Sequence, residues 1–204
     1  MRCLLLTSLI AFTLSFQVFA FSDNTDNKTD STSELGYSSE SLLLSLNKLG
    51  EGELKVLFWK VYKAEFYITG EEYSETQYPK ALKLTYHRDI EKKEFIDVTK
   101  DQWAQLNSHY QERLVSETQE EKWLNQLKNI FPTIKEKDII LFILTKDKQA
   151  KFYLRSFDNE KNHYQQNFQS IGTILDPEFG DYFLSIWLSK NTSEPKIRKQ
   201  LIGQ

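Results

Sequence analysis

The segment ELKVLFWKVYKAEFYI, residues 53–68, constrains the fold of this chain more than any other part of the sequence. Its even-numbered positions are apolar, with a single interruption at Lys60. Its odd-numbered positions are polar at both ends and apolar only in the middle, at Leu57, Trp59 and Val61. Alternation of this kind is typical of β-strands. It predicts one face that is buried along the whole segment and a second face that is buried only over the central third.

The length of this segment limits how it can sit in a sheet. At roughly 3.3 Å per residue it would span about 50 Å, whereas an ordinary strand covers about 17–20 Å. We therefore expect it to bend, or to split into two consecutive strands, at the centre of a sheet. Gly50-Glu51-Gly52, directly before it, predicts a turn that leads into the first strand.

Residues 1–20 have the pattern of a secretory signal peptide. Arg2 gives a positive start, residues 4–16 form an apolar core, and a small-x-small signal ends at Ala20. We expect cleavage between Ala20 and Phe21, which leaves no stable membrane span in the mature chain. The alternative, an uncleaved anchor, is disfavoured because Ser and Thr residues interrupt the apolar core.

Composition divides the rest of the chain into a spacer and a domain. Residues 22–34 contain almost nothing to bury, so we predict a disordered spacer over residues 21–36 and one folded domain over residues 37–204. The only cysteine, Cys3, lies in the signal segment, which leaves the mature chain without disulfides or thiolate metal sites. The domain must therefore be stabilised by burial of its core.

Charge, histidine content and motifs exclude several classes of function. The formal net charge of −3 comes without a basic stripe, which argues against nucleic acid as a partner. The 3 histidines lack the spacing of a metal site. No phosphate-binding loop, nucleophile elbow or zinc-protease motif occurs, so we predict no cofactor, no metal and no catalytic group. Aromatic residues make up 14% of the chain, which favours a large core or an apolar pocket. The oligomeric state stays open.

The pattern beyond residue 80 alternates between groups of strands and groups of helices. We predict strands at residues 81–86, 139–144 and 151–157, and helices over residues 95–110, 117–131, 178–187 and 194–201. Asp89, Ser116 and Asp176 are placed to cap three of the helices, and Pro177 suits a first helical position. This order predicts an α+β fold, an antiparallel sheet with helices packed on one face.

Two positively charged side chains, those of Lys60 and Arg88, occupy positions where they could contact a ligand. Lys60 interrupts the apolar face of the long segment, so it must pair with a carboxylate, extend to solvent or meet an anionic ligand in a cleft. The alternative is a strand that locally switches which face is covered. Arg88 follows a strand, where its guanidinium could clamp a ligand carboxylate. The alternative for Arg88 is a salt bridge to Asp89 or Asp97.

From about Gly50 onward the chain resembles the exported, bacterial chalcone-isomerase-like proteins. The resemblance rests on KVYKA at 60–64, LTYHRDI at 84–90, the segment 123–132, IGTI at 171–174, FLSIWL at 183–188 and IRKQL at 197–201. It implies an open-faced β-sandwich with a cleft between the sheet and the helices. The signal peptide predicts export, and we expect a periplasmic location. True chalcone isomerases use an arginine, a threonine and a tyrosine in this cleft, and fatty-acid-binding relatives keep the arginine and tyrosine to hold a carboxylate.

The catalytic residues of the family do not carry over to this sequence. The threonine position falls near Leu57, the arginine position near residues 45–48, and the tyrosine position close to Glu91. An enolate or phenoxide would therefore lack an aligned stabilising group.

Three hypotheses follow for the function of the domain. The first is a non-catalytic module that binds an apolar or amphipathic small molecule such as a fatty acid, with Arg88, Tyr86, Lys60 and Tyr62 as ligand-binding residues. The second is an isomerase or lyase with a rearranged site. The third is a structural or protein-interaction domain whose cleft is filled by its own aromatic side chains.

Overall fold

The alternating segment divides into two antiparallel strands, as its length requires. In the computed structural model, which describes residues 39–204, strand β1 spans Asn47–Val56 and strand β2 spans Trp59–Ile68. The tight turn between them holds Leu57 at a φ of 56°. The prediction of two consecutive strands is confirmed, and the predicted signal peptide and spacer lie outside the described residues.

Besides β1 and β2, the main sheet contains β3 (Lys80–Tyr86), β4 (Ile139–Leu144), β5 (Ala150–Arg155) and β8 (Gln169–Ile174). Within residues 39–204 it thus has six strands in the order β1-β2-β3-β4-β5-β8, and every neighbouring pair is antiparallel. β3 and β4 lie at the centre, and β4 is buried on both faces. The alternating segment instead supplies an edge strand and its neighbour, so its expected place at the centre of the sheet is corrected.

A small separate hairpin precedes β8. Its strands β6 (Phe157–Asp158) and β7 (His163–Tyr164) pair with each other and form their own two-stranded sheet. The ring of Phe157 contacts that of Tyr164 edge to face, with centroids 4.9 Å apart.

Five helices accompany the sheet in the part of the chain that the structure describes. They are α1 (Ser39–Leu44), α2 (Lys92–Asn107), α3 (Glu117–Ile130), α4 (Phe179–Leu188) and α5 (Pro195–Leu201). Side chains from α2 to α5 share one apolar core with one face of the sheet. Trp103 and Trp123 lie fully buried in that core. On the opposite face, Leu42 and Leu43 near the N-terminus pack against a smaller cluster around Leu141. The α+β class with a large antiparallel sheet is confirmed.

Two of the three predicted helix caps differ from expectation. Ser116 caps α3 as predicted, because its hydroxyl accepts a hydrogen bond from the Gln119 amide at 3.2 Å. Asp89 does not cap α2. Its carboxylate accepts a hydrogen bond from the Glu136 amide at 2.9 Å and forms a salt bridge with Lys135. Asp89 therefore links the segment before α2 to the segment before β4.

The start of α4 also differs. Pro177 lies in a turn before the helix, which begins at Phe179. Asp176 accepts the Glu178 amide at 3.1 Å and the indole N–H of Trp123 at 3.1 Å. The carboxylate therefore satisfies a buried tryptophan of α3 as well as the turn.

Gly50 and Gly52 lie within β1 rather than in a turn, so the turn predicted there is wrong. Helix α5 packs directly on this part of the strand. A Cβ atom at Gly50 would lie 1.9 Å from the backbone oxygen of Gln200. The two glycines therefore allow the helix and strand backbones to approach closely. In sequence, glycines that serve close packing cannot be distinguished from glycines that form a turn.

Within residues 39–204, none of the helices has the length and apolarity needed to cross a membrane.

Candidate functional site

A cavity of about 540 Å³ opens between one end of the sheet and helix α2. β1, β2 and β3 form its floor, and residues of α2 and α4 form its walls. The lining is mostly apolar and includes Leu54, Val61, Phe95 and Ile186. Its volume falls within the roughly 300–1,000 Å³ that is usual for small-molecule sites, which are likewise apolar with a few polar groups.

A β-bulge decides which side chains of β2 reach this cavity. Leu54 lies opposite Tyr62, but the next pair along the ladder is Lys55 with Lys60, which leaves Val61 without a partner. One extra residue in a strand moves every later side chain to the other face. The alternation predicted from sequence therefore changes phase at Val61.

The phase change puts Trp59 where Lys60 was expected. Trp59 lines the cavity, and Lys60 is not among the lining residues. The ammonium of Lys60 instead lies 2.8 Å from the Glu53 carboxylate on the opposite, polar face. Lys60 thus follows the alternative stated for it, a strand that switches which face is covered, and the structure does not bring it together with the other predicted site residues.

Tyr62 and Tyr86 are cross-strand neighbours on the cavity floor. Their rings meet edge to face with centroids 5.7 Å apart. The Tyr62 hydroxyl accepts a hydrogen bond from the indole N–H of Trp187 at 2.8 Å. Within residues 39–204 the Tyr86 hydroxyl makes no hydrogen bond. Burial raises the pKa of both hydroxyls well above the usual tyrosine value. A tyrosine hydroxyl is already protonated at neutral pH with its ordinary pKa of about 10, so both groups are hydrogen-bond donors there.

Arg88 lies at the cavity rim and is held by an acid of α2. Its guanidinium donates through both terminal nitrogens to the Glu94 carboxylate, with one distance of 3.2 Å, and to the backbone oxygen of Asp89 at 2.9 Å. The hydrogen bond to Glu94 raises the pKa of Arg88 above its already high value. The sequence alternatives for its partner were Asp89 and Asp97, but the Asp89 side chain pairs with Lys135 and that of Asp97 with Lys93.

Sequence reasoning missed Glu94 and Trp187 as site residues. Glu94 lies after the end of β3, in the first turn of α2. A negatively charged side chain there also interacts favourably with the positive end of the helix dipole. That position was therefore a detectable partner for Arg88. Trp187 lies near the end of a helix predicted from sequence, and its indole N–H needs an acceptor when buried, which Tyr62 supplies.

These groups can bind, orient and desolvate a ligand. The apolar walls favour a hydrocarbon, and the polar groups at one end are Arg88, Glu94 and the Tyr86 hydroxyl. Within the described part of the chain, no cluster of three or more His, Cys, Asp or Glu residues is placed to hold a metal ion.

Comparisons with known proteins agree with this architecture. The family model described as chalcone isomerase-like matches residues 34–203. An uncharacterized protein of Haemophilus influenzae is 26% identical over 134 residues, which cover 65% of this chain and 55% of that protein. The chain thus spans little more than half the length of that relative. The crystal structure of a fatty-acid binding protein of Arabidopsis thaliana superposes with a TM-score of 0.54 at 10% identity, covering 78% of this chain and 87% of the plant chain.

Proposed function

Because the chain belongs to the chalcone isomerase-like family, we propose that it binds an apolar or amphipathic small molecule, such as a fatty acid, in the cavity beneath α2. The observation that carries this proposal is the combination of apolar walls with a free hydroxyl and a guanidinium at one end. The fold similarity to a plant fatty-acid binding protein supports the same class of ligand.

A fatty acid would lie with its carboxylate at the rim and its chain inside. Tyr86 and Arg88 both line the cavity and lie two residues apart in the chain. The Tyr86 hydroxyl is a free donor, and Arg88 keeps N–H groups beyond those that Glu94 and Asp89 accept. The hydrocarbon would contact Leu54 and Ile186.

We propose binding without catalysis, because the positions that carry chemistry in the family do not bring the required groups into this cavity. Leu57 lines the cavity but has no hydroxyl, and residues 45–48 do not line it. Glu91 precedes α2 and accepts a hydrogen bond from the Thr133 hydroxyl at 3.0 Å. An incubation with hydroxychalcone that shows turnover above the uncatalysed rate would favour the isomerase instead.

We further propose that the domain works in the periplasm after export. The support is the signal pattern of residues 1–20. N-terminal sequencing of the protein recovered from the cell envelope should begin at Phe21. Protein that retains Met1 and remains with the cytoplasmic fraction would refute this part of the proposal.

Native mass spectrometry of the purified protein tests the ligand class directly. A bound mass in the range of a lipid or fatty acid should be released by organic solvent. A fluorescent fatty-acid analogue should then bind the delipidated protein and be displaced by unlabelled fatty acid. Protein that carries no such mass and binds no analogue would contradict the proposal.

Two variants test the polar end of the cavity. Tyr86→Phe should weaken fatty-acid binding about 3- to 10-fold for the loss of a neutral hydrogen bond, and Arg88→Gln should weaken it about 10-fold or more. Tyr153→Phe is the matched control, because Tyr153 packs against the apolar cluster on the opposite face of the sheet. Equal affinities for all three variants would remove Tyr86 and Arg88 from the site.

A further inference from the structure

The tip of the β1–β2 hairpin exposes a run of apolar side chains. Leu57, Phe58 and Trp59 are 86%, 96% and 76% exposed, and Val56 beside them is also exposed. Consecutive exposed apolar residues lower solubility and have no packing role, so they indicate a surface that meets an apolar partner. We propose that this tip inserts into the surface of an anionic phospholipid bilayer.

Charge at the base of the tip matches the phosphate layer of such a bilayer. Lys55 and Lys60 flank the four apolar residues in sequence and lie opposite each other across the ladder. Both pair with the same carboxylate, that of Glu53, at 3.4 and 2.8 Å. Two ammonium groups with one carboxylate leave a net positive charge, which attracts anionic headgroups.

The distance between the apolar tip and the lysines fits shallow insertion. Phe58 and Lys60 are two residues apart, which corresponds to roughly 6–7 Å along a strand. Interfacial amphipathic helices bury their apolar face about 5–10 Å into the boundary between headgroups and acyl chains, and a hairpin tip of this size matches that depth. Phe58 would therefore reach the acyl chains while Lys60 stays among the phosphates. Trp59, between them, belongs to the residue type that is enriched at this boundary.

The tip is continuous with the cavity mouth. Val56, Leu57 and Trp59 line the cavity as well as the tip, and the half-exposed Val98 of α2 also lines the cavity. A hydrocarbon chain could thus pass from the bilayer to the cavity along these apolar side chains. Transfer of a hydrocarbon into the cavity rests on the proposed function, whereas insertion of the tip into a bilayer does not.

The shape of the tip favours a bilayer over a second protein. The tip is a two-residue turn that projects Phe58 almost completely into solvent. A protein partner would need a pocket to receive it, and the other exposed large apolar residues of the described chain, such as Leu44 and Leu175, are single positions that do not follow one another in sequence. A fluid bilayer accommodates a protruding apolar tip without a preformed pocket.

Vesicle co-sedimentation with the processed protein, which begins at Phe21, tests the proposal. The protein should bind vesicles of phosphatidylcholine mixed with phosphatidylglycerol more strongly than vesicles of phosphatidylcholine alone. Phe58→Asp should reduce the partition coefficient by about tenfold or more, because Phe58 supplies a large share of the inserted apolar area. Lys60→Gln should reduce binding to the anionic vesicles only. Leu175→Asp is the control, since Leu175 is exposed but lies outside the hairpin, and it should leave partition unchanged.

Tryptophan fluorescence gives a second, local measurement. Of the 4 tryptophans, all within residues 39–204, only Trp59 is exposed. Vesicles should therefore shift the emission to shorter wavelength, and Trp59→Phe should abolish the shift.

Three outcomes would overturn the inference. They are no vesicle binding, equal binding by Phe58→Asp, and self-association in solution that Phe58→Asp abolishes, which would assign the tip to a contact between copies of the chain. Phe58 does not line the cavity, so fatty-acid titration of Phe58→Asp without vesicles separates the two proposals. Intact titration with lost vesicle binding supports insertion, and vesicle binding without any fatty-acid binding would refute the proposed function alone.

Discussion

Replacement of Glu94 by glutamine should increase the affinity of the cavity for a fatty acid. Glu94 holds the Arg88 guanidinium through both terminal nitrogens, at the rim where a ligand carboxylate would bind. A bound carboxylate must therefore share the guanidinium with a like charge. Glutamine keeps the length of the side chain and one hydrogen-bond acceptor but removes the charge, so Arg88 stays in place with its positive charge unneutralised.

The size of the gain can be derived from the geometry. Two carboxylates on one guanidinium would lie about 4–5 Å apart, where their repulsion is roughly 1 kcal/mol in water and about 4 kcal/mol at a protein surface of lower polarity. The side chains of Arg88 and Glu94 are 42% and 37% exposed, so solvent screens the pair and the lower part of this range applies. A gain of roughly 1–2 kcal/mol corresponds to about 5- to 30-fold in affinity.

Isothermal titration with a fatty acid and with the alcohol of the same chain length separates the charge from the hydrocarbon. Glu94→Gln should bind the acid more tightly, with the alcohol little changed, and the gain should shrink as salt is added. Asp97→Asn is the matched control. It removes the same charge from the same helix, but Asp97 pairs with Lys93 and does not line the cavity.

An unchanged ratio of acid to alcohol affinity in Glu94→Gln would refute this reasoning. The same gain in Asp97→Asn would show that only the overall charge of α2 matters. Thermal melting should change little for Glu94→Gln, because an exposed ion pair contributes only about 0.2–1 kcal/mol to stability. A large loss of stability would mean that the pair holds the corner between β3 and α2 rather than tuning the site.

Three further predictions concern stability. Gly50→Ala should lower the free energy of unfolding by about 1–3 kcal/mol, since its Cβ would lie 1.9 Å from the Gln200 oxygen; an unchanged urea midpoint would contradict this. Asp181→Asn should cost more stability in thermal melts than Lys80→Met, because it leaves the buried Lys80 ammonium without its carboxylate 3.1 Å away; equal losses would count against it. Burial raises the pKa of Tyr73 from 10.0 to about 12, so stability that is full below pH 10 should fall as pH rises through about 12. Tyr73→Phe should flatten that fall in alkaline denaturation, and identical pH profiles would refute the assignment.

The sheet was predictable because its strands are defined by burial. The continuous apolar run 139–144 and the alternation of residues 81–86 each record which faces are covered, and both segments are strands in the structure. The turn within the long alternating segment was not predictable in position. Leu57 and Phe58 occupy it without the glycine, asparagine or proline that usually marks a hairpin turn.

Contacts between distant segments account for the failed predictions. Gly50 reads as a turn residue because the sequence does not show that α5 approaches β1 at that point. Asp89 reads as a helix cap because the Glu136 amide, far along the chain, is not visible as a competing donor. In both cases the residue type does favour the predicted local structure. A contact with a distant segment of the chain decided which structure the residue adopts.

The candidate site depends on a single bulged residue. Without the bulge at Val61, Lys60 would share the cavity face with Tyr62, and Trp59 would point away from it. The position of a bulge cannot be predicted from alternation alone. Each side of the bulge alternates between apolar and polar residues, and the sequence does not show at which residue the two faces exchange. Its consequence is a separation of roles. The cavity keeps Arg88 as its cation and gains an aromatic wall, while Lys60 joins Lys55 on the polar face at the base of the exposed hairpin. The cation that sequence placed in the ligand site is therefore positioned for the phosphate layer of a membrane, beside the entrance of the cavity it was expected to occupy.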